Sequence, residues 1–207
     1  MIASDRTALK VGSALLVVDG TDETVVRKAE LSIRPTRAQA HAIERGIFQL
    51  SRDSYNAALE HRRGAWRWAG VSVSVFDQFE QIDTELRTAR PDVARFGIQP
   101  VRSSIRRADE AMAAFFRRLK DGEAKAGSPR FKSYKRFRTV FYDEPVSWSL
   151  RLEGDKRTST HPALYLQGIG EIELTRSAVG QLRRMLDRGG EPRTLTVTRT
   201  RSGAWRA

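Results

Sequence analysis

Residues 98–120, IQPVRSSIRRADEAMAAFFRRLK, carry the clearest periodic signal in the chain. Ile98, Val101, Ile105, Ala108, Met112, Phe115 and Leu119 follow one another at spacings of 3, 4, 3, 4, 3 and 4, the pattern of one apolar helical stripe. Such a helix is about 35 Å long, and its stripe reads as packing against neighbouring helices. The outer face is basic, with Arg102, Arg106, Arg107, Arg117, Arg118 and Lys120. Side chains of this kind can line a groove that follows phosphates.

Two further helices precede it. Thr36 is a good N-cap, and Ile43, Ile47, Leu50 and Ala57 mark a stripe from Arg37 to about Arg63. Gly64, Trp66 and Trp68 are read as its frayed end, with Gly70 closing the segment. Val75, Phe79, Ile82 and Leu86 define the next helix, capped by Ser72 or Ser74. Pro91 breaks that pattern, so residues 87–97 are expected to be a linker or short turn. Before the helices, residues 30–34 (ELSIR) alternate as a short strand ended by Pro35. Residues 1–29 are read as a variable leader, either loose or adding a strand near 11–18.

After Gly122 the chain changes character. Lys125 to Arg138 (KAGSPRFKSYKRFR) is a basic loop in which Gly127 and Pro129 oppose regular structure. Short strands follow at 139–142, 147–153, 163–167 and 171–174, with an exposed loop or hairpin at 155–162. Residues 177–188 read as a small helix with Val179, Leu182 and Leu186 on one face, stopped by Gly189 and Gly190. A final strand, 194–199, leads through a Ser202-Gly203 turn to Trp205. Strand, three helices, then a run of strands fits an α+β protein: a β-module split by a helical insertion, rather than two independent domains.

Composition bounds the function. With 207 residues and 40% hydrophobic side chains, the chain can build one or two compact domains. Its 37 Lys and Arg against 25 Asp and Glu leave a formal charge of +12, which favours a polyanionic partner. Cysteine is absent, which excludes disulfide scaffolds and Cys-based zinc sites. His41, His61 and His161 lie too far apart in sequence for metal-ligand spacing. No apolar run reaches transmembrane length; the apolar run Val11–Val18 has no cleavage pattern after it, only Asp19, Asp22 and Glu23. No cofactor and no metal are expected, and the location expected is cytoplasmic and nucleoid-associated.

The charge is concentrated. Residues 101–140 hold twelve basic and four acidic side chains, net +8. In the loop, Phe131, Tyr134 and Phe137 interleave with Arg130, Lys132, Lys135, Arg136 and Arg138. Cations alternating with rings offer phosphate neutralisation together with stacking. The nucleic-acid contacts expected on this reading are Arg102, Arg106, Arg117, Arg118, Lys125, Arg130, Phe131, Lys132, Tyr134, Lys135, Arg136 and Arg138. The alternative is that Phe131 and Phe137 pin the loop to the core while the cations only keep it soluble. A membrane patch would be an amphipathic helix or polybasic tail, not a Gly- and Pro-containing loop running into strands.

Signs of catalysis are missing from the pattern. Asp143 with Glu144, and Asp109 with Glu110, lack the third carboxylate that metal-dependent hydrolysis uses, and local ion pairing is expected for both. There is no phosphate-binding P-loop and no nucleophile elbow. No residue is assigned a catalytic role.

Several segments taken in order resemble one family. Leu31-Ser-Ile-Arg-Pro-Thr36 with Gln39, the pair Tyr55-Asn56, the pair Phe115-Phe116, Gly127-Ser-Pro-Arg-Phe-Lys-Ser133, and Leu195 to Trp205 with its Gly203-Ala-Trp turn resemble the front part of OrfB/TnpB-type proteins of the IS200/IS605 insertion sequences. These transposon-associated, RNA-guided nucleases are related to type V CRISPR nucleases. The resemblance spans residues 30–207 and is weakest over 143–190. It implies a split β-barrel wedge domain (30–36 and 122–207) interrupted by a three-helix recognition insertion (37–121). It implies a grip on structured RNA and/or DNA, with Arg130 and Lys132 the best-matched positions. The RuvC-like nuclease domain of the family is expected to lie beyond the last strand, so catalysis does not transfer, and a separately encoded nuclease domain is an open option as partner. Two other readings stand beside this one: an autonomous helix-turn-helix-like DNA-binding regulator, and an inactive fragment of a degraded transposon gene.

Overall fold

A computed structural model describes residues 14–20, 23–86, 89–123, 126–152 and 161–207. Among the described residues, nine strands form one antiparallel system: β1 Ala14–Gly20, β2 Glu23–Ala29, β3 Ser32–Arg34, β4 Thr139–Tyr142, β5 Trp148–Arg151, β6 Ala163–Leu166, β7 Gly170–Leu174, β8 Gly190–Arg199 and β9 Trp205–Arg206. The path β4–β8–β9–β3–β7–β6–β5 makes a nearly closed, seven-strand barrel-like sheet. β8 is long enough to serve partners in succession. Its first half pairs with β1, and its second half pairs with β4 from Leu195↔Tyr142 to Thr198↔Thr139. β3, before the helices, lies between β7 and β9 near the end of the chain. Reciprocal backbone hydrogen bonds of 2.8 Å between Leu31 and Ala207 extend that junction. The barrel is therefore split in sequence, and the helices are an insertion between β3 and β4.

The insertion starts on a capping box. The Gln39 N–H donates to Thr36 Oγ1 and the Thr36 N–H donates to Gln39 Oε1, satisfying two otherwise orphaned donors. The Gln39 amide also donates to the Glu171 carbonyl at 2.7 Å, tying the helix start to β7. Arg37–Ala42, a π-type stretch Ile43–Phe48, and Gln49–Ala69 run on as one helix, α1. The helix does not fray at Gly64: it continues through both tryptophans to Gly70, whose φ of 64° supplies the left-handed C-cap. α2 is Val75–Gln81 continued by Ile82–Leu86, and Ser74 with Asp77 forms its capping box.

Pro91 starts a helix instead of ending one. Pro91–Phe96 is α3, with proline in its first turn, where a missing N–H costs nothing. Val93 and Phe96 of α3 are buried, and a Cβ at Gly46 would stand 2.3 Å from the Phe96 ring. The π-type stretch thus places a glycine where α3 presses on α1. α4 is Gln99–Lys120 and α5 is Arg176–Leu186, capped by Thr175. The barrel and the helices share one continuous core, from Leu31 and Ile33 through Ile43, Ile47, Leu59 and Val101 to Val140, Leu164 and Val197.

The leader contributes two strands where one was an option. β1 and β2 form a hairpin laid against the start of β8; residues 11–13 of the anticipated strand, and 155–160 of the anticipated loop, lie outside the described residues. The α4 stripe is core only in part. Val101, Ile105 and Ala108 are buried, Ile98 and Met112 partly so, but Leu119 is half exposed.

Candidate nucleic-acid interface

The basic loop is a strap fastened along α1. The Asn56 side-chain amide makes both hydrogen bonds to the Lys132 backbone, donating to its carbonyl at 3.0 Å and accepting from its N–H at 2.8 Å. A side chain has taken the place of a paired strand there. Nearer the strap's start, Arg63 donates to the Pro129 carbonyl and to Ser128 Oγ, and Arg118 donates to the Gly127 carbonyl at 3.1 Å. The strap runs antiparallel to α1 over about 30 Å, from Arg63 back to Glu44. A single 3-10 turn, Tyr134–Arg136, precedes Phe137, which is buried and anchors the end of the strap.

The rings hold cations in place. Arg45 and Arg52 lie over Tyr134 at 4.9 and 5.6 Å, Arg63 lies over Phe131 at 5.0 Å, and the Lys132 ammonium lies 5.5 Å from the Tyr55 ring. Phe131 and Tyr134 keep their outer parts exposed. Arg130, Lys132, Lys135, Arg136 and Arg138 are all exposed on the strap. Among the described residues, Arg117, Arg130, Lys135 and Arg136 form no ion pair. Lys125 lies outside the described residues.

Arg102 and Arg106 are elsewhere. Both sit over the Phe79 ring of α2, at 5.7 and 5.5 Å, and Arg106 is paired with Asp143 at 2.9 Å. Ser103 Oγ donates to the same carboxylate, and Gln99 donates to Glu144 at 3.0 Å. Arg107 lies 4.3 Å over Phe141, and burial pushes its guanidinium below its ordinary pKa, with Tyr55, Glu110 and Asp143 opposing. Burial likewise raises the Tyr55 phenol, against the pull of Arg107 and Arg63. The ion pairing expected for the acidic doublets is present: Asp143 holds Arg106 and Asp109 holds Arg62. The arginines of the first half of α4 thus fasten the helix to α2 and β4, while Arg117, Arg118 and Lys120 stand exposed near its end.

Of the residues that shape the interface, Asn56 stands in the Tyr55-Asn56 pair of the resemblance, but the arginines beside it carry no motif. Arg45, Arg52, Asn56 and Arg63 recur along α1 at spacings of 7, 4 and 7, a polar stripe under the strap. The helical period of the apolar residues does not reveal this second, polar stripe. At the strap's far end, Lys135 and Arg138 join Arg199, Thr200, Arg201 and Gly203 around a cleft of about 240 Å³. Arg199 there pairs with Glu44. Nothing local in the sequence links the β8–β9 turn to the strap.

The segments that carried the family resemblance meet in space. Asn56 clasps Lys132 across 76 residues, and Ile33 of the first segment pairs with Trp205 of the last across the β3–β9 ladder. No family model and no curated protein matches the chain. Among the described residues, no group of three or more His, Asp or Glu is placed to hold a metal ion, and no helix is long and apolar enough to cross a membrane.

Proposed function

We propose that this chain is a non-catalytic nucleic-acid-binding module, the RNA- or DNA-gripping front part of an OrfB/TnpB-like protein, and that the strap is its contact surface. The observation that carries the reading is a row of exposed cations on a loop that Asn56, Arg63 and Phe137 hold in a defined shape. A merely solubilising loop needs no such fastening, whereas a phosphate grip gains from pre-organised charges. The spatial meeting of the resembling segments supports the same assignment. A nuclease domain, on this chain or another, is one partner this role allows, and a nucleoid-associated location in the cytoplasm goes with such a ligand.

Reading DNA through a helix-turn-helix is less well supported. α3 and α4 are joined by a short turn, but the first residues of a recognition helix must reach base edges. Gln99, Val101, Ser103 and Ser104 are buried here.

The test is a salt titration of affinity for a structured RNA and for duplex DNA. Log affinity should fall against log salt with a slope of about −4 or steeper. Replacing Arg130, Lys132, Lys135 and Arg136 with alanine should weaken binding about a hundredfold or more near 0.1 M salt and flatten the slope by three to four units, roughly one per phosphate contact. A native protein that binds neither ligand at low salt, or a quadruple variant of unchanged affinity, would sink the proposal.

A further inference from the structure

At the distal end of the helical insertion, apolar surface stands uncovered. Trp66 is 67% exposed and Trp68 84% exposed, and Val71 and Phe76, which follow in the chain, are also open. Patches of this kind mark contact sites, and the surroundings select the occupant. Arg63 is the surface neighbour of Trp66 on α1, three residues before it, and Arg67 is the next neighbour of Arg63, four residues on. Both Trp66 and Arg67 are exposed. Arg63 is also the residue that grips the strap at Pro129 and covers Phe131. The tryptophan is therefore the next ring beyond Phe131, one helical turn further along the same cationic face. A second copy of the chain would bring like charges to this tip, which disfavours self-pairing.

We infer that Trp66, with Arg63 one turn before it on the same side of α1, is a stacking platform for an unpaired base of the nucleic acid held on the strap. This deepens the nucleic-acid reading and rests on it. Phosphates along the strap supply charge neutralisation without sequence preference, and an indole face adds selectivity for a ligand whose bases are free to stack. Such a ligand has a single-stranded extension next to its structured part. Trp68, two residues on and about 200° around the helix axis, lies on the opposite flank and is the internal control.

The experiment compares a hairpin carrying a six-nucleotide single-stranded tail with the same hairpin ended flush, each as RNA and as DNA, by fluorescence anisotropy. Trp66→Ala is expected to weaken the tailed ligand about tenfold and the flush ligand less than about twofold, with Trp68→Ala near native on both. In a Trp68→Phe background, indole emission should be quenched by the tailed hairpin only, because Trp148 is buried and Trp205 is stacked on Phe48. Circular dichroism checks that each variant is folded. Equal losses on the two ligands, no loss for Trp66→Ala, an equal loss for Trp68→Ala, or a native dimer that Trp66→Ala dissociates would each overturn the inference. Failure of the native chain to bind either hairpin would instead bring down the functional reading beneath it.

Discussion

The two halves of α4 have similar sequences and opposite fates. Its first half carries Arg102, Arg106 and Arg107, and its last turns carry Arg117, Arg118 and Lys120. In the first half, α2 offers Phe79 and β4 with its following turn offers Phe141 and Asp143, so the guanidiniums are drawn into packing and pairing. In the last turns Arg118 reaches Glu123 at 3.6 Å and the Gly127 carbonyl, while Arg117, Lys120 and Leu119 face solvent. A count of arginines on a helix face therefore says little about how much positive field a ligand meets. What matters is whether an acid or a ring stands opposite.

The sharpest way to break the comparison is to truncate one apolar residue from each half. Ile105→Ala should lower stability by about 2–5 kcal/mol and Leu119→Ala by less than about 0.5 kcal/mol, measured by urea unfolding; equal losses would mean that the last turns are as well packed as the first. Next in size is the arginine pair. Arg106→Ala removes the cation facing Asp143 and should cost about 1 kcal/mol while leaving nucleic-acid affinity nearly unchanged. Arg117→Ala should do the reverse, leaving the melting curve in place and reducing the salt slope by about one unit.

Asn56→Ala tests whether the strap is held or only lies nearby. Loss of both Lys132 backbone bonds should cost about 1 kcal/mol locally, seen as roughly fivefold to tenfold faster amide exchange at Lys132. Exchange at native speed would mean that the strap is fixed by Phe137 and the arginines alone.

The smallest effect expected is at Asp77, whose cap sets the start of α2 and so the position of Phe79 under Arg102 and Arg106. The backbone N–H and hydroxyl of Ser74 hold its carboxyl below the usual aspartate range. A depressed carboxylate stabilises the fold above its unfolded pKa, and that contribution is lost as pH falls through the folded value. Asp77→Asn should therefore melt slightly below the native protein at pH 7 and together with it near pH 2; a gap that persisted in acid would assign the effect to shape instead of charge.

Much of the fold could be read from local pattern. Thr36 and Gln39, Ser74, the apolar stripes and the alternating strands all speak through nearest neighbours along the chain. The departures share a cause as well. Pro91 reads locally as a breaker, although in a first helical turn proline is a starter, and what makes α3 a helix is burial of Phe96 over Gly46. β2 has only a weak local signal, the Asp19-Gly20 turn between two valine-rich runs. The interface was half legible. The strap's cations stand out by density and by their interleaved rings, whereas Arg45, Arg52 and Arg63 are dispersed along an amphipathic helix whose polar face looks like any solvated one.

By itself the sequence determined the fold class, the split of the β-module and the basic character of residues 101–140, because periodicity, capping and charge density are local properties. Only the tertiary structure decided which cations stay available. Asp143 is 37 residues from Arg106, and Lys132 is 76 from Asn56. Whether a guanidinium is spent on a carboxylate, laid on a ring or left to a phosphate depends on what the fold brings within a few ångströms of it, since pairing and desolvation act at contact range.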